Sequence, residues 1–293
     1  MIAPDARVAV TGGSGKLGRA VVTDLLDHGY RVVNLDRAPG DDPRAGFVRV
    51  DLTDHGQVMD ALTGTDDRYD RIDAVAHLAA IPAPGLTTNA ALFTHNITAT
   101  HHVFAAARVA GIRRIVWASS ETVLGLPFTD TPPPYLPADE EYHPRPGSSY
   151  SLAKTLEEEM ALQFCRWDPE LSMVGLRFSN VMAPPDYAAF PGYDADPTER
   201  AWNAWGYIDA RDGAQAVRLA LTAELTGREI FVIANADTVM SRSSAELAAE
   251  VFPDVQVRGE LGEHDTLLSI DKARRLLGYE PVHSWRSTTE VAL

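Results

Sequence analysis

Tyr150 and Lys154 stand four residues apart, and no other tyrosine of the chain has a lysine at that distance. On a helix this spacing puts both side chains on one face. A free phenol has a pKa of about 10, too high for an efficient base at neutral pH. An ammonium beside it favours the phenolate and lowers that value. Nine tyrosines and three lysines in 293 positions would make about 0.1 such pairs by chance, so the spacing carries weight as a hypothesis of proton transfer. Ser119-Ser120 closes an apolar run that reads as a strand. A hydroxyl at that edge can hold the oxygen whose proton Tyr150 moves. Serines also cap strand ends, and without Tyr150 and Lys154 the reading of Ser120 would be structural.

A second group of residues sits at the N-terminus. Gly12, Gly15 and Gly18, with Lys16 and Leu17 between the last two, follow a short apolar strand and open a helical pattern. Glycines there permit a tight turn and let helix N-terminal amides face a pyrophosphate. The bland alternative is a strand–helix turn with no ligand. Asp36, 18 residues beyond Gly18 at the end of the next strand, shifts the balance, because an acid there accepts bonds from an adenosine ribose. Its carboxylate would repel a 2′-phosphate, which favours NAD over NADP. Lys16 and Arg37 are candidate phosphate partners and keep NADP as the alternative. Asp51-Leu52 reads equally as an adenine contact or a strand-end cap.

These residues need a scaffold that brings strand ends together. Strands read at Val8–Val10, Tyr30–Asp36, Phe47–Val50, Ile72–Leu78, Ile112–Ser119, Met173–Phe178 and Glu229–Ala234. Helical spacing reads from Leu17, near Ala91–Ala110, from Tyr150 to Trp167, near Asp212–Leu225, Ser243–Phe252 and Asp271–Leu277. Such alternation predicts an α/β fold, a doubly wound parallel sheet of Rossmann type with right-handed crossovers. Seven prolines between Gly125 and Gly147 forbid a helix there and predict an ordered surface loop. Residues 183–198 predict a second irregular loop. The expected division is a dinucleotide-binding domain over 1–178 with 207–236 returning to it. A small C-terminal substrate lobe takes 179–206 and 237–293.

Composition narrows the partners. A net charge of −15 with no lysine or arginine block argues against nucleic acid and anionic lipid. One cysteine, Cys165, allows no internal disulfide and no thiolate zinc site. His95, His101 and His102 lack a metal pattern, so no metal is expected. Residues 1–7 show no apolar core of a secretion signal, and no run of about 18 apolar residues exists to span a bilayer. A cytoplasmic protein is the expectation. Glu157-Glu158-Glu159 reads as a solvated helix face.

The motif set resembles the extended short-chain dehydrogenases/reductases, the NAD-dependent epimerase/dehydratase group. It comprises Val10-Thr11-Gly12-Gly13-Ser14-Gly15-Lys16-Leu17-Gly18, Asp36, Asp51-Leu52, His77-Leu78-Ala79-Ala80, Asn96, Ser119-Ser120, Tyr150-x-x-x-Lys154 and Arg177-Phe178-Ser179-Asn180, in the order the family expects. The tail Asp271-Lys272-Ala273 through Leu277-Gly278-Tyr279-Glu280-Pro281 also looks like that family's C-terminal pattern. The resemblance implies Ser120, Tyr150 and Lys154 as the catalytic set. It places Leu78, Ala79, Ala80 and Asn96 beside the cofactor and Phe178 against the nicotinamide, with Asn96 also able to brace the neighbouring backbone. Family members often pair two helices as a dimer interface, which would make 91–110 and 150–167 the candidate homodimer faces.

Within that family, dehydratases carry an acidic pair after the catalytic hydroxyl, and here those positions are Glu121 and Thr122. Threonine cannot be the base, so dehydration is disfavoured. Nucleotide-sugar 4-epimerases devote a long segment after the Asn180 position to the nucleotide, whereas 28 residues separate Asn180 from Asp209. The short lobe looks more like uronate dehydrogenases, yet those carry Asn-His where this chain has Glu121-Thr122. Candidate substrate contacts are Ser120, Glu121, Thr122, Asn180, Arg200 and Trp205, with Trp202 and Trp205 read either as sugar platforms or as core. The expectation is an NAD-dependent oxidoreductase acting on a secondary alcohol or hemiacetal of a sugar, sugar acid or small polyol. The alternatives are a nucleotide-sugar 4-epimerase with tightly bound NAD and a non-catalytic dinucleotide-sensing protein. The last predicts that Tyr150→Phe leaves function unchanged.

Overall fold

The computed structural model describes residues 2–64 and 69–289. The chain runs through β1 (Arg7–Thr11), α1 (Lys16–Asp27), β2 (Arg31–Asp36), β3 (Gly46–Arg49), α2 (His55–Thr63), β4 (Ala74–His77), α3 (Asn89–Val109) and β5 (Arg114–Ser120). It continues through β6 (Tyr135–Leu136), α4 (Ser149–Trp167), β7 (Ser172–Phe178), β8 (Val181–Met182), β9 (Ile208–Asp209) and α5 (Ala210–Thr222). Last come β10 (Gly227–Ile233), α6 (Ser244–Val251), β11 (Gln256–Val257), α7 (Asp271–Leu277) and α8 (Trp285–Thr289).

Seven strands form one parallel sheet in the order β10-β7-β5-β4-β1-β2-β3. Buried on both faces, its strands read as apolar runs, and alternate residues serve opposite layers. Val8 and Val10 join Val21, Leu25 and Val217 on the α1/α5 side, while Ala9, Val75 and Ile115 join Val58, Phe104 and Phe164 on the α2/α3/α4 side. The chain reverses direction across the sheet between β1 and β4, which pair Val8 with Ala74 through Thr11 with His77. A crevice opens outside the carboxyl ends of strands at such a switch point. The doubly wound α/β class is therefore observed as expected.

Two features escaped the periodicity. Helix α2 begins with His55 and Gly56, poor helix formers, and buries only Val58, Ala61 and Leu62. Its start is fixed by Asp54, whose side chain accepts from Gln57 N. The proline-rich loop holds no helix, as its prolines require, yet Tyr135 and Leu136 pair with Gln256 and Val257 as β6 and β11. Residues 184–195 and 197–203 wind into short 3-10 turns. Tyr187 and Phe190 of the first segment pack on Tyr207 and Trp285 edge to face and on each other at a tilt.

A buried ion pair sets the height of α4 against the sheet. Arg177 of β7 donates Nε and Nη2 to Glu158 of α4 at 2.9 and 2.8 Å, and the Ser119 hydroxyl of β5 donates to the same carboxylate at 2.6 Å. The expectation of a solvated Glu157–Glu159 face is thus corrected: Glu157 and Glu158 are buried, and only Glu159 is exposed. The reason is that the inner face of α4 meets β5 and β7, where an arginine and a lysine need counter-charges. Breaking a buried pair strands a charge, so Arg177→Met should lower stability by about 3–5 kcal/mol. The urea midpoint reads this, and adding Glu158→Leu should recover most of the loss.

Candidate active site

A cleft of about 910 Å³ runs along the carboxyl edge of the sheet, from Asp36 and Arg37 at one end to Trp202 at the other. Its glycine floor is made by close approach. Gly12 holds φ +71°, and a Cβ there would meet Ala79 N at 2.7 Å, while a Cβ on Gly18 would fall 2.0 Å from Gly12 O. Only glycine fits either place. Gly15, Lys16 and Leu17 line the cleft beside them. Asp36 accepts from Ser14 N at 3.1 Å and from Arg37 N at 2.6 Å, which fixes its carboxylate at the rim. Arg37 Nη2 in turn faces His95 Nε2 at 3.4 Å.

Leu52, Leu78, Ala79, Ala80, Asn180 and Phe178 also line the cleft. Asp51 and Asn96 lie outside its lining. Asp51 turns its carboxylate onto Thr53 N and Oγ1 at 2.9 and 2.7 Å, the contacts of a strand-end cap. Asn96 braces the backbone instead, accepting from Ile81 N at 2.8 Å and donating to Ile81 O at 3.1 Å. Lys16 bridges the cleft mouth by donating to Asp186 Oδ2 at 2.8 Å. Sequence reasoning missed His95 and Ile81–Pro84, which line the middle of the cleft. Histidine on a helix and prolines in a loop carry no pattern that would have marked them.

Helix α4 begins in a reciprocal cap, with Ser148 Oγ accepting from Ser151 N at 3.1 Å and Ser151 Oγ from Ser148 N at 2.9 Å. That fixes the first turn, where Tyr150 projects, and Lys154 follows one turn later. Both are buried, and both line the cleft with Ser120. Burial pushes the Tyr150 phenol above its ordinary value, opposed by the Lys154 ammonium and by a hydrogen bond with Ser120. Burial alone would depress Lys154, but Glu157 beside it carries the balance upward. Ser120 Oγ accepts from Thr122 N and Thr122 Oγ1 at 3.2 and 3.0 Å. Behind the pair, His77 contacts Thr11 Oγ1 and Thr100 Oγ1, and burial holds it down at about 3, hence neutral.

The substrate end needs two corrections. Trp205 is fully buried, donates Nε1 to Pro197 O at 2.8 Å and packs on Phe252, so it is core; Trp202 is the tryptophan that lines the cleft. Arg200 is neither exposed nor in the cleft: it donates to Gly206 O at 2.9 Å and stacks on Tyr193 and Trp202. Between Arg200 and Gly206 the backbone is left-handed at Ala204 and Trp205, with φ of 52° and 57°. Glu121 and Thr122 do line the cleft. Glu121 accepts from Asn203 Nδ2 at 3.0 Å, and burial raises its carboxyl to about 7 against the pull of Ser179, Asn203 and Arg200. Among the described residues no cluster of histidine, cysteine or acidic groups could hold a metal, and no helix is long and apolar enough to cross a membrane.

The model of the NAD dependent epimerase/dehydratase family matches residues 8–196. A UDP-glucose 4-epimerase of Drosophila melanogaster is 30% identical over 195 residues, 59% of this chain and 52% of that protein. The human UDP-glucose 4-epimerase is 31% identical over 196 residues, 59% of this chain and 53% of that protein. The chain thus spans about half the length of the curated relatives it matches. A solved UDP-galactose 4-epimerase superposes with TM-score 0.69 at 27% identity, covering 95% of this chain and 94% of that one. MoeE5, solved with UDP-glucose and NAD, gives TM-score 0.69 at 26% identity over 97% of this chain and 100% of its own.

Two measurements test the geometry. Asp36→Asn should weaken NAD binding about 10- to 100-fold, the worth of a charge-assisted bond, and narrow its margin over NADP in titration calorimetry. Glu121 binds its proton more tightly folded than unfolded, so the stability it confers is full below about pH 4.5, is lost as pH rises to about 7 and stays lost above. Glu121→Gln should abolish that slope, on the order of 1–3 kcal/mol between pH 5 and 8 in urea unfolding.

Proposed function

This chain belongs to the NAD-dependent epimerase/dehydratase family, and on that premise we propose that it moves a hydride between NAD and a secondary alcohol or hemiacetal carbon of a sugar, sugar acid or small polyol. One observation carries the reading. Ser120, Tyr150 and Lys154 line the same cleft as the glycine floor and Asp36, so a dinucleotide lying along that floor ends beside the proton-transfer pair. The residues fit the cofactor: Gly12, Gly15 and Gly18 line the cleft with bare backbone, because a Cβ on Gly12 or Gly18 would collide with Ala79 or Gly12 O, and Asp36 offers an acceptor at the rim. When bound, the nicotinamide supplies the hydride acceptor.

The chain's own groups do the rest. Ser120 holds the substrate oxygen. Tyr150 Oη removes the hydroxyl proton as the carbinol carbon becomes a carbonyl, and returns it in the reverse direction. Lys154 stabilises the phenolate and keeps one N–H free for a ribose hydroxyl, its other bonds going to Ala118 O and Glu157. Thr122 fixes the serine rotamer. Arg200, committed to Gly206 O, is withdrawn as a carboxylate partner, so a neutral sugar or polyol suits the substrate end better than a uronate.

The similarity to 4-epimerases supports a second reading, in which the hydride returns to the opposite face of a nucleotide sugar. Only residues 181–207 lie between Asn180 and Ile208-Asp209, and that length favours the smaller substrate. NADH absorbance across free sugars, uronates and polyols, with nucleotide sugars followed by NMR, separates the two. Stoichiometric NADH from a free sugar is expected. Inversion of a nucleotide sugar without net NADH would replace this reading by epimerisation. Tyr150→Phe should cut kcat about 10²- to 10⁴-fold, and unchanged turnover would remove the phenol from the mechanism.

A further inference from the structure

Glu157 lies one turn past Lys154 on α4, fully buried, with its Oε2 2.9 Å from Lys154 Nζ. The same ammonium donates to Ala118 O at 2.8 Å on β5. A carboxylate is costly to bury, and the adjacent Glu158 already answers Arg177, so Glu157 is a separate, dedicated partner of the lysine. We propose that Glu157 is a positioning residue for the proton-transfer pair: it anchors the Lys154 ammonium against β5 and, by offsetting part of that charge, decides at what pH Tyr150 gives up its proton. The proposal rests on the functional reading only for Tyr150 as the group that moves the proton.

The electrostatics follow from what surrounds the pair. From α4 itself, Glu157 and Glu158 face it; from β5 and the turn after it, Glu121; from β7, Arg177, consumed by Glu158; from β4, neutral His77; and from α3, Thr100, with His95 acting on His77. In a water-poor interior such charges act strongly over short distances. Lys154 favours the phenolate, whereas Glu157 and Glu121 oppose it. Deleting the Glu157 charge therefore leaves Lys154 less compensated and lets Tyr150 ionise at lower pH. Glu157 and Ala118 O together hold the ammonium at one point and take two of its three donors. A carboxylate present only to neutralise a buried lysine would affect stability and leave the phenol where it was.

Tyrosinate absorbance of the full chain, titrated with and without NAD, reads this without any substrate. Subtracting Tyr150→Phe isolates one phenol among nine tyrosines. Glu157→Gln should move that step about 1 pH unit lower, and Glu157→Asp, which keeps the charge, should leave it in place. An unmoved step in Glu157→Gln, or equal movement in both variants, overturns the proposal. A second measurement needs no Glu157 variant. The chain has three lysines, so isotope-labelled lysine resolves Lys154 by NMR, assigned through Lys154→Met. Its ammonium should persist beyond the ordinary lysine value of about 10.4, and loss of the proton below about 9 sinks the idea even if Glu157→Gln does not fold. Because neither titration involves turnover, a chain that oxidised no sugar at all would still pass or fail them.

Discussion

The three-way junction of Glu158, Arg177 and Ser119 is the contact on which the site's geometry depends. It joins α4, β7 and β5 through two guanidinium bonds and one hydroxyl bond, all shielded from water. A side-chain network of this kind tolerates little sliding, because a small displacement would leave one charge unmatched in a medium of low polarity. Tyr150 and Lys154 occupy the turns of α4 just before it, and Ser120 is the next residue after Ser119. The pair and the serine are therefore positioned by one rigid joint rather than by flexible loops.

Charge in this part of the molecule is nearly balanced residue by residue. Lys154 meets Glu157, Arg177 meets Glu158, and burial raises the Glu121 carboxyl to about 7 against the pull of Ser179, Asn203 and Arg200. An acidic chain of net charge −15 still builds a cleft in which a phenol and an ammonium lie together without repelling a dinucleotide. The negative surface acts at long range and is screened by salt, whereas these buried groups act at contact distance.

The substrate end is built differently from the cofactor end. The cofactor half rests on strand termini and a glycine turn that leaves no room for a Cβ at Gly12 or Gly18. The other half is made of 3-10 turns over an aromatic cluster of Tyr187, Phe190, Tyr207 and Trp285. That lobe shares its apolar core with the α1/α5 side of the sheet, since Trp205, Phe252 and Val8 belong to one cluster.

Local patterning alone specifies the doubly wound class, the glycine turn, Asp36 at the second strand end and the Tyr150–Lys154 spacing. Each of these rests on local rules: hydrophobic period, the demand for glycine at a close turn, and the reach of one helical turn. Helix α2 stayed hidden because its start is a cap rather than a period, and β6 because two residues among prolines carry no alternation. The tertiary structure decided everything that depends on partners distant in sequence. It buried Glu157 and Glu158, which local patterning reads as a solvated stripe, because cations from α4 and β7 meet them there. It turned Trp205 into the core and brought Trp202 to the cleft, and it consumed Arg200 on Gly206 O. A charged or aromatic side chain has the same character in either setting; whether it faces ligand, core or counter-charge is fixed only when remote elements close around it.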